Sequence, residues 1–277
     1  MAGIYVNDEG TWKLPKSVWV NQLGTWRVCK NVYVNKSGAW KELIKTVDIT
    51  SNQYNFNLHT YLGSPSQAMS VIVNISGGVE IYSNNSGGNR TPAFTVGNFA
   101  NNSTVIINNN GYISGGGGFG GLGMIMGNRG RRPGNGTAGG DGIVKGSSNN
   151  FDCTIVNTGT IAGGGGGGGG GESIYSPGSN YTESGRYSTG NTGGQGAGIT
   201  STTRTQGGSP MTPPDYFGRT YPNTTSGGFG GALGDDGYGN GQDARGAYWT
   251  SYGGKAGKAI TGDIEIAVSG TIIGVVG

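Results

Sequence analysis

Residue types that carry chemistry in proteins are scarce in this chain of 277 residues. It has one histidine, two cysteines and a charged fraction of only 12%. The single histidine, His59, has no cysteine or acidic cluster near it, so the sequence offers no metal site, cofactor site or acid–base pair. We therefore predict a protein that is not an enzyme and that needs no cofactor.

The sequence also lacks the usual signals of membrane insertion and nucleic-acid binding. It contains no run of about 18 apolar residues, and residues 1–10 lack the cationic start and apolar stretch of a signal peptide. The formal net charge of +3 is too small for the concentrated basic surface that nucleic acid requires. Cys29 and Cys153 both lie in strand-like patterns, which predicts buried free thiols in a protein made in a reducing cytoplasm.

Glycine, by contrast, is abundant, with 62 residues of the 277. A chain so poor in charge either aggregates or packs its backbone regularly, because disordered chains depend on charge for solubility. The longest tract, 163–171, fits a flexible linker or a polyglycine-II helix with three residues per turn. The presence of many tracts favours packed helices, since only glycine lets several such backbones approach closely. The tracts are 115–123, 134–142, 163–171, 190–198, 227–241 and 253–257.

Three repeats with a period of 14 residues lie near the start of the sequence. Each has an alternating apolar start, an Asn-x-x-Gly centre and a tryptophan, which predicts a short β-hairpin. The repeats are Ile4–Lys13, Val18–Arg27 and Val32–Lys41. Trp12, Trp26 and Trp40 occupy equivalent positions in them. These side chains either fill a small core or form an attachment interface for a threefold partner such as a trimeric fibre.

The remaining pattern is β-rich, without a convincing helical period. Short runs at Ser70–Asn74, Val79–Tyr82 and Thr104–Asn108 have the composition of strands. A looser repeat of strand, Asn/Ser turn and glycine follows, at Val105–Gly118, Cys153–Gly166 and Ile264–Gly274. We predict an all-β N-terminal part followed by a packed polyglycine-II domain with long loops and essentially no α-helix. The expected domains are 1–45 for attachment, 46–110 as a β-rich connection and 111–277 as the glycine-rich domain.

The segments between the glycine tracts have the composition of a binding surface. They are rich in Tyr, Trp, Arg and Ser, the residues that binding loops favour, and loops carry function where a scaffold positions them. Packed tracts of similar length would gather these loops at one end. The candidate binding residues are Arg131, Arg132, Tyr175, Tyr181, Tyr187, Tyr216, Phe217, Tyr221, Arg245, Tyr248, Trp249 and Tyr252.

This layout of tracts and loops, with SGGGGFGG at Ser114–Gly121 and SGGFGGALGDDGYGNG at Ser226–Gly241, resembles the tip adhesins of T-even-type bacteriophage long tail fibres. The resemblance implies an N-terminal domain that caps a trimeric fibre and polyglycine-II helices whose loops bind a bacterial outer-surface receptor, either a membrane protein or a glycan. It also implies a place at the tail tip of the virion and synthesis in the host cytoplasm. The N-terminal repeats resemble the YVN-x-x-G-x-W units of other phage tail proteins.

Two other functions fit the composition less well. The first is a minor virion or tail structural protein without receptor contact. The second is an ice-binding protein, which requires a flat and regular array of small residues. The aromatic and proline-rich insertions argue against that second possibility.

Overall fold

In the computed structural model the described residues form almost only strands, turns and extended segments, which agrees with the all-β part of the expected fold. It describes residues 6–8, 11–13, 18–22, 24–28, 31–36, 39–83, 92–122, 124–126, 134–146, 150–170, 172–174, 223–224, 230–239 and 251–277. One short helix, α1 (Leu58–Tyr61), lies within these residues, and the Asn57 side chain caps it by accepting a hydrogen bond from Thr60 N at 3.0 Å. None of the described helical residues forms a span long and apolar enough to cross a membrane.

The first six strands pair as antiparallel neighbours, one pair in each 14-residue repeat. They are β1 (Val6–Asp8), β2 (Thr11–Lys13), β3 (Trp19–Gln22), β4 (Thr25–Val28), β5 (Asn31–Lys36) and β6 (Ala39–Ile49). Equivalent pairs are Asn7 with Trp12, Asn21 with Trp26 and Asn35 with Trp40. Gly24 has φ +83° and donates its N–H to Asn21 Oδ1 at 2.9 Å, as a tight Asn-x-x-Gly turn requires.

From β6 onward the chain winds through three parallel sheets, placing one strand in each sheet per turn. The first sheet continues from β6 with β9 (Ser70–Ile75), β12 (Thr104–Asn109), β16 (Asp152–Asn157) and β21 (Glu265–Val268). The second contains β7 (Gln53–Tyr54), β10 (Glu80–Tyr82), β13 (Tyr112–Ser114), β17 (Thr160–Ala162) and β22 (Thr271–Ile273). The third contains β8 (Phe56–Asn57), β11 (Phe94–Thr95), β15 (Ile143–Val144) and β20 (Ile260–Thr261). This arrangement is a parallel β-solenoid.

Stacked side chains fill the interior of the solenoid. Val73, Ile107 and Ile155 are opposite one another on β9, β12 and β16, and all are fully buried. Two buried asparagines stack in the same way where the first sheet turns into the second. Asn109 Nδ2 donates to Asn157 Oδ1 at 2.8 Å, and Asn157 Nδ2 donates to the carbonyl of Thr271 at 3.3 Å. Because these amides are paired, their burial does not carry the cost of an unsatisfied polar group.

Cys153 is a free thiol buried inside this solenoid. Burial raises its pKa to about 12, against a smaller opposing effect of the Lys145 charge. Because the thiolate is the reactive form, we expect Cys153 to resist iodoacetamide in the folded protein at about pH 8 and to react after unfolding. Peptide mass spectrometry distinguishes its adduct from that of Cys29, which lies outside the described residues. Rapid modification of Cys153 in the folded protein would contradict the prediction.

Candidate functional site

Two turns of the solenoid carry long insertions between the second and third sheets. One insertion covers residues 115–142, and the other covers residues 163–259. Their described parts are extended glycine-rich segments, which we call A (115–122), B (134–142), C (163–170), D (230–234), E (235–239) and F (251–258). The described glycine tracts thus extend out of the solenoid as parallel and antiparallel segments.

Segment C lies at the centre of the group, and all of its residues are buried. Its hydrogen bonds to any one neighbour recur every third residue. The bonds with segment B are Gly164 N to Gly140 O, Gly167 N to Thr137 O and Gly170 N to Gly134 O, at 2.9 Å each. Around segment C, neighbours A, F and D donate to its carbonyls, while B and E accept from its N–H groups. The backbone N–H and C=O groups of segment C are therefore hydrogen-bonded to neighbours on several sides. In a strand, these groups would pair only with the two neighbours in the same sheet.

Side chains are excluded from this centre. A Cβ added to Gly164, Gly167 or Gly170 would overlap a carbonyl of segment A, namely that of Gly116, Phe119 or Leu122 respectively. These clashes involve backbone atoms, which cannot rotate away as a flexible side chain does. Glycine at these positions is therefore required by the close approach of the segments.

The ends of the segments that point away from the solenoid lie together. Segments A and C lead into β14 (Met124–Met126) and β18 (Glu172–Ile174), which are parallel, and β19 (Asn223–Thr224) is antiparallel to β18. Segments B, D and F run back toward the solenoid. One end of the bundle, which we call the tip end, is therefore where several described residues meet. They are the residues that flank 127–133, 175–222 and 240–250.

Comparison with known proteins identifies the family. Residues 44–277 match the model of the phage tail fibre adhesin Gp38 family. The chain belongs to this family. The structure is similar to the crystal structure of the gp37-gp38 adhesin tip complex of the bacteriophage S16 long tail fiber, with a TM-score of 0.51 and 22% identity over 86% of this chain and 83% of that chain. At this identity the likeness shows the fold alone, and no curated protein matched the sequence.

Family membership confirms the predicted phage tail fibre adhesin and places the protein in the virion tail. Of the candidate binding residues, Tyr252 is described. It lies at the tip end near the start of segment F, with 65% of its surface exposed. The others lie outside the described residues, namely Arg131, Arg132, Tyr175, Tyr181, Tyr187, Tyr216, Phe217, Tyr221, Arg245, Tyr248 and Trp249. The glycine tract 190–198 lies outside them too.

The candidate attachment residues lie in the N-terminal repeats of the adhesin. Trp26 is 64% exposed on β4. Trp12 and Trp40 occupy the equivalent backbone positions on β2 and β6, and their side chains lie outside the described part of the structure.

Sequence reasoning missed two exposed side chains at the tip end. Leu122 and Tyr238 are 71% and 47% exposed. Tyr238 follows Asp235 by three residues, and both residues are exposed, so both belong to one outward column of segment E. A period of three applied to the non-glycine residues of each tract would have found such positions.

A charged pair midway along the bundle fixes segments E and F to each other. Lys255 Nζ lies 2.7 Å from Asp236 Oδ2, and Ala256 N donates to Asp236 Oδ1 at 2.7 Å. The hydrogen bond from Lys255, with that of Ala256, lowers the pKa of the Asp236 carboxyl. Among the described residues no group of His, Cys, Asp and Glu could hold a metal ion. The large side chains that are exposed at the tip end, among the described residues, are Leu122, Tyr238 and Tyr252.

Proposed function

We propose that this adhesin attaches through its N-terminal repeats to a trimeric tail fibre protein and binds a bacterial outer-surface receptor through the segments between its glycine tracts. Family membership supports the adhesive role. The structural neighbour is a complex of gp37 with gp38, which supports a tail fibre protein as the partner of this chain.

The glycine segments are proposed to be polyglycine-II helices. In support, hydrogen bonds between segment C and its neighbours recur at every third residue, which matches a helix with three residues per turn and no internal hydrogen bonds. Such helices satisfy their backbone by binding one another, so a bundle of them is stiff. A stiff bundle is a suitable support for a binding surface, because less conformational entropy is lost on binding.

Each predicted region has a role in this proposal. Residues 1–45 attach the chain, with Trp12, Trp26 and Trp40 as anchors for a threefold partner. Residues 46–110 connect this part to the glycine-rich region 111–277, which carries the receptor-binding residues. Strands from both sides of residue 110 share the three sheets of the solenoid, so the connection is a rigid base rather than a linker.

The observation that carries the receptor-binding proposal is the meeting of segment ends at the tip end. The flanks of 127–133, 175–222 and 240–250 lie together there, opposite the solenoid. The three segments between these flanks contain all of the candidate arginines and aromatic residues except Tyr252. Aromatic and arginine side chains carry most of the binding energy at protein interfaces.

Replacing Tyr248 and Trp249 together by alanine is expected to slow phage adsorption to host cells at least about tenfold, because such aromatic anchors are each worth about 2 kcal/mol or more. Adsorption is measured as loss of free phage from a cell suspension. The control is Tyr54→Ala with Tyr61→Ala, which removes two rings that are 63% and 64% exposed on the solenoid. Unchanged adsorption of the tip variant, at normal incorporation into virions, would favour a structural protein without receptor contact.

A further inference from the structure

We infer that Asn135 and Ser251 are positioning residues that fix the start of segment F, so that Tyr252 is held ready to contact the receptor. This inference rests on the receptor-binding role proposed for the tip end. It concerns residues that are themselves not aromatic, and one of them is fully buried.

Ser251 stands where segment F begins to separate from the central segment. Along F, Gly257 N and Gly254 N donate to Gly164 O and Gly167 O of segment C, at 2.8 and 2.7 Å. One period of three nearer the tip end, the next carbonyl of C is that of Gly170. It accepts from the Ser251 hydroxyl, Oγ, at 2.6 Å, and Ser251 is 0% exposed. At the point where residues 240–250 join segment F, the Ser251 hydroxyl thus makes the bond to segment C that a backbone N–H makes at Gly254 and Gly257.

Asn135 holds the backbone of Tyr252 from the other side. Its Oδ1 accepts from Tyr252 N at 2.9 Å, and the N–H of Gly136 donates to Tyr252 O at 2.8 Å. Both backbone polar groups of Tyr252 are therefore bound to segment B, while its ring remains mostly exposed. A contact residue on a fixed backbone loses little entropy when it binds.

The structure contains a matched clamp at the opposite end of segment F. Asp141, also on segment B, accepts from Lys258 N through Oδ1 at 2.8 Å, and Gly142 N donates to Lys258 O at 2.8 Å. Asp141 Oδ2 additionally accepts from the Thr261 hydroxyl at 2.9 Å. This clamp repeats the geometry of Asn135, but it lies beside the solenoid. Replacing Asp141 removes two side-chain hydrogen bonds, whereas replacing Asn135 removes one. The change at Asp141 leaves the contacts at the tip end in place.

The test compares phages that carry Asn135→Ala, Ser251→Ala or Asp141→Ala, with adsorption, virion incorporation and melting temperature measured for each. We expect Asn135→Ala and Ser251→Ala to slow adsorption about fivefold, since the loss of one hydrogen bond shifts an equilibrium by about that factor. Asp141→Ala should lower the melting temperature at least as much as Asn135→Ala does and leave adsorption unchanged. Asn135→Asp keeps an acceptor oxygen and should restore adsorption.

A purely structural role for these residues predicts the reverse order, with Asp141→Ala the most damaging to adsorption, and that result would overturn the inference. Normal adsorption of both Asn135→Ala and Ser251→Ala, together with slow adsorption of the Tyr248 and Trp249 variant, would also overturn it while leaving the receptor-binding role intact. Normal adsorption of all these variants would reject the receptor-binding role and the inference together.

Discussion

Replacing Gly167 by alanine is expected to lower the melting temperature of the protein by roughly 6–12 °C, since about 3 kcal/mol corresponds to that shift in a chain of this size. The added methyl would overlap the carbonyl of Phe119 in segment A. Gly167 also donates to Thr137 O and accepts from Gly254 N. Segment C therefore cannot move away from A without stretching bonds to B or F.

The matched control is Gly77→Ala, in a turn of the solenoid. Its added Cβ would lie 3.8 Å from Asn110 O, an ordinary contact. We expect its melting temperature to stay close to that of the unmodified protein. Hydrogen exchange offers a second measurement, because the buried amides of Gly164 and Gly167 should be protected well beyond those of a linker. Equal melting temperatures for the two variants, or rapid exchange throughout 163–170, would contradict the packed arrangement of the segments.

Local patterns in the sequence locate individual strands well. The run Thr104–Asn108 became β12 (Thr104–Asn109), and Val79–Tyr82 became β10 (Glu80–Tyr82). The looser repeat also marked real strands, since Val105–Gly118 and Cys153–Gly166 contain β12 with β13 and β16 with β17. Period-two alternation is set by residues close together in the chain, so it can be read without knowledge of the fold.

The stacking of those strands could not be read in the same way. β16 pairs with β12 on one side and with β21 on the other, and the insertion between β16 and β21 covers residues 163–259. No local pattern in the sequence predicts which strands pair across such an insertion, because an inserted segment of almost any length can return to the same edge of a sheet. The buried Asn109 and Asn157 did carry a signal. Asparagine at the same place in two repeats is typical of stacked turns, and the repeat had already aligned them.

Replacing Trp12, Trp26 and Trp40 together by alanine is expected to reduce incorporation of the adhesin into virions at least about tenfold, because buried tryptophan anchors dominate the energy of such interfaces. The period of 14 residues gives each tryptophan the same place opposite an asparagine. A trimeric partner offers three equivalent surfaces, so three equivalent anchors on one chain would each meet one of them. Incorporation is measured by quantifying the adhesin in purified particles.

The single variant Trp26→Ala separates attachment from folding. The Trp26 ring is 64% exposed, so its removal should leave the melting temperature nearly unchanged while incorporation falls. If the three tryptophans instead filled a core of their own, Trp26→Ala would lower the melting temperature and incorporation in parallel. Tyr54→Ala, which removes an exposed ring of the solenoid, should change neither quantity. Full incorporation of the triple variant would show that attachment does not depend on these three tryptophans.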